Sequence, residues 1–199
     1  MKPALLLVDI QNDFLNSPQL SPAAQLLVQA AARLLEGCRQ AAIPVVHIWT
    51  TVYRGKDHRM PHWVRAGKWI CVAGTKGHAT PSLLRPRPNE RVLHKTFFSA
   101  FHTGELVRVL AAIGRDTVMI AGLYEHACIR TTAIDAYQSG LEVWIAADAV
   151  ASNDAEHAAI SRRYLSERAA RYESVEMLLR SLHAGIDPAS APAQAAGDR

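Results

Sequence analysis

Three side chains able to do acyl chemistry sit where apolar segments end. Asp9 follows ALLLV, Lys95 closes RVLHK, and Cys128 comes just after TVMIAGLYEHA. Apolar strands of an open parallel sheet end on one shared edge, and such sheets bind ligands beyond that edge. A thiol, a carboxylate and an ammonium gathered there make a nucleophile with a base and a charge partner. Cys128 is predicted in the first turn of a helix, where free amides and the dipole favour a thiolate and can hold an oxyanion. Each residue alone also has a plain structural reading. Cys128 can be a small core residue, Asp9 a turn former and Lys95 a surface cation. Their common edge favours chemistry.

The elements that must position them follow from periodicity. ALLLVDI reads as a buried first strand. Ser21-Pro22 is predicted to open a helix, Ser21 as cap and Pro22 at the first helical position. Leu27, Ala31, Leu34 and Cys38 recur at helical spacing down to about Gln40, which places Cys38 in the core. VVHIWTT, RVLHK, TVMIAG and LEVWIAADA supply four more strands. Helices are expected over HTGELVRVLAAIG, CIRTTAIDAYQSG and about Asp154 to Ala169. A short extended piece near Arg171-Tyr172-Glu173 then leads to a last helix, SVEMLLRSL, with Ser174 as its cap. Strands alternating with helices predict an α/β fold, a doubly wound and mainly parallel sheet covered on both faces as three α/β/α layers.

Between Val52 and Pro88 the pattern breaks up among glycines and prolines, as a binding loop or lid would. A single domain over residues 1–184 is expected, with 185–199 as a disordered tail poor in large apolar residues.

Composition excludes several classes. The 199 residues are 49% hydrophobic and 20% charged, enough for a substantial core. The net charge of +4 is spread along the chain, without the basic stripe or motif that nucleic-acid binding needs. No apolar run is long enough to cross a bilayer, and the start lacks a signal-peptide pattern, so a cytoplasmic location and no membrane partner are expected. Cys38, Cys71 and Cys128 are widely spaced free thiols on this reading, neither a disulfide framework nor a zinc pattern.

Together LLLVDIQNDF, HKTFFSAF and AGLYEHACIRTTAIDAYQSGLEVWIAADA resemble the isochorismatase-like cysteine hydrolases, the superfamily of nicotinamidases, N-carbamoylsarcosine amidase and isochorismatases. The resemblance covers about residues 4–183, with three separated motifs in the family's order. It implies a catalytic triad of Asp9, Lys95 and Cys128. It also implies a non-proline cis peptide at Leu123-Tyr124, with the amides of Tyr124 and Cys128 as the oxyanion hole. The expected activity is hydrolysis of a C–N bond in a small amide, ureido or carbamoyl compound, through a covalent acyl-enzyme and without a cofactor. Alternatives are a vinyl-ether hydrolase of isochorismatase type and a non-catalytic binding or assembly protein. Many relatives are oligomers, so a homodimer or homotetramer is expected.

The chain departs from nicotinamidases after the second strand, where they carry an Asp-Trp-His type segment that holds a metal. Here the stretch is HIWTTVYRGKDHRMPHW. His47, Asp57, His58 and His62 are competent ligand types, but their spacing is not diagnostic and no metal is assigned. Arg54 can pair with a substrate carboxylate or simply be solvated. Tyr53, Phe98 and Tyr124 are expected to line the pocket. Trp63 and Trp69 either cover it or pack against a neighbouring subunit. Glu125 and His126 precede Cys128 closely enough to touch a leaving group. Asp13, Asp135 and Asp148 read as support.

Overall fold

The computed structural model describes residues 1–56 and 58–184; Asp57 and the tail from 185 to 199 lie outside the described residues. Among the described residues there are six strands: β1 (Pro3–Val8), β2 (Val45–Thr50), β3 (Arg91–Lys95), β4 (Thr117–Leu123), β5 (Glu142–Ala151) and β6 (Arg171–Glu173). They pair in the order β3-β2-β1-β4-β5-β6, every pair parallel. The chain therefore starts at the centre of the sheet, winds outward to β3, then returns to the other side of β1. Winding reverses between β1 and β4, and the carboxyl ends of those two strands frame the crevice where such sheets take ligands.

Helices α1 (Asn12–Leu15), α2 (Ala24–Gln40), α3 (Pro61–Arg65), α4 (Glu105–Ala112), α5 (Arg130–Gln138), α6 (Ala155–Arg168) and α7 (Val175–Ala184) complete the layers. Strand β1 shows why the sheet needs cover on both sides. Leu5 and Leu7 pack with Leu27, Leu34 and Leu178 under α2 and α7. Ala4, Leu6 and Val8 pack with Leu110, Ala133 and Leu165 under α4, α5 and α6. Gly37 lets α2 and α7 cross closely, because a Cβ there would meet Leu179 Cδ2 at 2.2 Å. Strand β5 changes register against β4 between Ile145 and Val150, which moves Ala149 and Ala151 onto the face already holding Trp144.

Several boundaries match the sequence reading. The Ser174 hydroxyl accepts from the Met177 amide at the start of α7, and Asp154 caps α6 through the His157 amide. Cys38 is fully buried in the core. Asp148 has the structural role expected, accepting the Val175 amide at 2.8 Å.

One expectation changes. Helix α2 begins at Ala24, and Ser21 does not cap it. The Ser21 backbone is instead committed to Ser152 at the end of β5, in both directions, and the Ser21-Pro22 bond is cis. The 52–88 region supplies a cavity wall, as a binding loop would, through Met60, His62, Trp63, Lys68 and Ile70, and it is packed down rather than free. The Val52 amide donates to the Cys71 carbonyl, and Ala73 donates back to Val52. Met60, Trp63, Cys71 and Leu84 are all buried in the core beneath α2 and β1. Apolar anchors at irregular spacing tie this segment down without giving it a period to read.

Candidate functional site

The register of the sheet sets the site. Thr50 and Lys95 are partners across β2 and β3, and Val8 lies between Ile48 and Gly122. Just past β1 the backbone of Asp9 adopts φ +56, and its amide donates to the Ile48 carbonyl. That turn brings its carboxylate across to the end of β2. Oδ1 accepts from both the amide and the hydroxyl of Thr50, each at 2.9 Å. Oδ2 accepts from Lys95 Nζ at 2.6 Å.

The Lys95 ammonium also donates to Thr50 Oγ1 and the Phe97 carbonyl, both at 3.0 Å, and stands 3.5 Å from Cys128 Sγ. All three predicted residues are buried: Asp9 at 0%, Lys95 at 4% and Cys128 at 6% exposure. An isolated charge so buried is costly, and here each charge has a hydrogen-bonded counterpart. Burial by itself lowers the Lys95 pKa, but Asp9 and Cys128 more than offset it, so the group stays an ammonium. Burial pushes the Cys128 thiol up to about 12, against the pull of Lys95 and with a further upward push from Asp9. Burial therefore opposes the thiolate that helix position alone favours. The Asp9 carboxylate is the adjoining hydrogen-bond acceptor for the Cys128 proton.

Two residues that the sequence pattern does not mark hold this arrangement. Thr50 bridges the acid and the amine with a single hydroxyl. Gln11 accepts the Thr50 amide through Oε1 and donates from Nε2 to the carbonyls of Thr50 and His78. Asp13 acts as a loop holder, as expected, with Oδ2 accepting the Cys71 amide at 2.7 Å. The only sequence signal for Thr50 is its position at the end of the strand beside the one that ends in Lys95.

At the end of β4 the peptide between Leu123 and Tyr124 is cis. The Tyr124 carbonyl then accepts from the amides of Ala127 and Ile129, closing a wide turn over Glu125–Ile129 that runs into α5. This turn carries Cys128 to the helix start. The Tyr124 hydroxyl donates to the Phe14 carbonyl, fixing its ring edge-on to Phe14.

A cavity of about 380 Å³ opens over the thiol. Cys128, Tyr124 and Phe98 line it, with Phe14, Trp63 and Ile70 as further apolar wall. Asp13, His62, Lys68, His126 and Asn153 are its polar lining residues. Of these, the sequence marks His126 by its nearness to Cys128, His62 only as a ligand type and Asp13 only as support; Lys68 and Asn153 carry no signal. His126 is held by Ser152 Oγ through Nδ1, and burial lowers its pKa, so it is neutral at pH 7.

Three residues expected to touch substrate are not among those lining the cavity. Tyr53 is 49% exposed and stacks on His58. Arg54 lies over the Trp69 ring, which Arg59 also covers. Glu125 turns toward α6, where Arg162 grips both carboxylate oxygens at 2.8 and 3.1 Å. A buried carboxylate needs such a partner, and Arg162 supplies it from a helix that sequence proximity to Cys128 could not reveal.

The histidines of the second-strand segment go separate ways. His47 bonds Glu90, His58 bonds the Lys56 and Thr51 carbonyls, and His62 stacks on Phe98. Among the described residues no three His, Cys, Asp or Glu side chains gather as a metal cage, and Asp57 lies outside them.

Fold and site together define a doubly wound α/β protein with a buried acid–amine–thiol cluster at its switch point. An isochorismatase domain family model matches residues 3–177, and the chain belongs to that family. It is 32% identical over 159 residues to a maleamate amidohydrolase of Pseudomonas putida, covering 75% of this chain and 72% of that one. Among solved structures it is similar to an isochorismatase family protein from Desulfovibrio vulgaris (28% identity, TM-score 0.80, covering 92% and 98%). It is also similar to N-carbamoylsarcosine amidase from Thermoplasma acidophilum (29% identity, TM-score 0.76, covering 88% and 98%). No helix among the described residues is long and apolar enough to cross a membrane.

Proposed function

We propose that this protein is a cysteine-dependent amidohydrolase, cleaving the C–N bond of a small amide, ureido or carbamoyl compound. The observation that carries the reading is the buried contact of Lys95 with both Asp9 and Cys128 beneath an open cavity. Similarity to proteins named as a maleamate amidohydrolase and an N-carbamoylsarcosine amidase supports C–N chemistry.

Asp9 takes the Cys128 proton as sulfur attacks the carbonyl carbon. Lys95 stays charged beside both and limits the cost of separating charge in a dry site. The carbonyl π electrons move to oxygen, and the amides of Tyr124 and Cys128 stabilise that oxyanion. Collapse breaks the C–N bond, and protonated Asp9 gives its proton to the leaving nitrogen, releasing ammonia or an amine. Asp9 then deprotonates a water that attacks the thioester carbon. The C–S bond breaks, and the proton on Asp9 returns to sulfur.

The test is ammonia or amine release from a panel of small amides, ureides and carbamoyl compounds, with mass spectrometry of the quenched protein. The expected result is turnover, an acyl adduct on Cys128, and loss of at least roughly 1000-fold in Cys128→Ala and Cys128→Ser. Undiminished turnover in Cys128→Ala, or activity on vinyl ethers alone, overturns the reading.

A further inference from the structure

Resting on the amidohydrolase reading, we infer that the substrate is a small amide that also carries a carboxylate, and that Lys68 receives that carboxylate in the cavity beside Cys128. Lys68 is the one lysine or arginine among the described residues that line the cavity. Asp9 and Lys95 pair with each other below the thiol. Asp13, the one acidic residue among the described residues lining the cavity, spends Oδ2 on the Cys71 amide. Its carboxyl group also packs against Gly77, where a Cβ would meet it at 2.0–2.4 Å. His126 is tied to Ser152, and His62 lies flat against the Phe98 ring.

Lys68 differs from these. Its backbone is fixed at both ends, the amide donating to the Trp63 carbonyl and the carbonyl accepting from Arg59 Nη1. Its side chain is exposed, with no ion-pair or hydrogen-bond partner for the ammonium among the described residues. A lysine whose main chain is anchored at a cavity rim, with its charge unmatched, is placed to meet an anion. Charge-assisted bonds of this kind are the stronger class.

The rest of the wall sets the shape of the ligand. Met60, Trp63 and Ile70 are apolar, so a short carbon chain fits between the amide and the carboxylate. The volume of about 380 Å³ lies at the small end of ligand cavities. Nothing in the proposed mechanism uses Lys68, so its role is in selection and not in bond breaking.

The experiment compares oxamate, malonamate, succinamate and maleamate, each beside its neutral methyl ester, in wild type, Lys68→Met and Lys68→Arg. For at least one acid, wild type is expected to prefer the anion over its ester by roughly tenfold or more in kcat/KM. Lys68→Met loses roughly 10- to 100-fold on that anion, through KM with kcat nearly unchanged, and keeps its activity on the ester. Lys68→Arg retains most of the preference. Equal use of acid and ester by wild type, or an equal loss on both in Lys68→Met, overturns the inference.

Calorimetric binding of the same acids and esters to Cys128→Ala, with and without Lys68→Met, reads the carboxylate site without turnover. Anion-selective binding that disappears with Lys68→Met supports the site even if hydrolysis fails. Absence of anion-selective binding overturns it while leaving the hydrolase reading to its own test.

Discussion

A Cβ placed on Gly122 would lie 1.9 Å from the carbonyl oxygen of Val8. The two central strands approach this closely at the switch point, one residue before Asp9 on β1 and two before Tyr124 on β4. Gly122 also has φ +136, which L side chains rarely adopt. The obstacle is backbone in the middle of the sheet, so it cannot swing aside as a side-chain tip would. Gly122→Ala is expected to destabilise by about 4 kcal/mol or to prevent folding. Gly67→Ala, at φ +62 with open space around it, is expected to cost only about 1–2 kcal/mol. Urea unfolding of the two variants checks this, and equal midpoints would refute it.

Thr50 joins the acid to the amine, donating to Asp9 Oδ1 and accepting from Lys95 Nζ through the same oxygen. Thr50→Val keeps the shape and the amide bond to Asp9 while deleting that oxygen. Expected are a stability loss of about 1–3 kcal/mol and a fall in kcat of roughly 10- to 100-fold, with KM little changed. A fall in activity no larger than that of a neighbouring conservative variant, Thr51→Val, would mean that the bridge does not position the pair.

Much of the frame is legible in the sequence because its signals are local. Apolar runs mark five strands, and the residue ending each run points to Asp9 and Lys95. Position after a strand and turn points to Cys128. The parts that are not legible depend on contacts distant in sequence. Thr50 and Gln11 act through side-chain bonds that exist only once β1, β2 and β3 are aligned. Glu125 looks available to substrate in the sequence because its partner, Arg162, lies on α6. Helix position alone implies an acidic thiol, whereas burial dominates and makes it a weak acid. Local pattern cannot report how deep a helix start is buried.

The charge of Asp9 holds the Cys128 proton in place as well as offering to accept it, since both its charge and its hydrogen bond raise the thiol pKa. Asp9→Asn should therefore separate two properties that usually fall together. Hydrolysis should be lost, because Asp9 is the base of the proposed mechanism. The thiol should become more acidic, with Lys95 still lowering its pKa and the opposing carboxylate removed. Iodoacetamide labelling of Cys128 at pH 8 is expected to be roughly tenfold faster than in wild type. Slower labelling in a folded Asp9→Asn protein would show that the carboxylate activates the resting thiol instead.

Acid stability should depend on a pair at the opposite end of the sheet from the site. Glu90 accepts from Arg39 Nε and Nη2, from the Arg87 amide and from His47 Nε2. Burial alone would raise its pKa, but these donors outweigh burial and hold the carboxyl down at about 2, from an ordinary value of 4.5. For His47, burial outweighs the carboxylate and lowers the pKa from 6.5. Both groups bind protons more readily when unfolded, so both make stability fall as pH falls. The His47 share is complete above about pH 6.5 and is lost as pH drops through its lower native value. The Glu90 share is complete above 4.5 and is lost between there and about 2. Glu90→Gln removes the second decline and leaves Arg39 without its fork. Its urea midpoint is expected to be lower than that of wild type at pH 7, by about 3 kcal/mol in stability, and the gap should narrow steadily below pH 4.5. A gap that stays constant down to pH 3 would mean that the Glu90 carboxyl keeps an ordinary pKa in the folded protein.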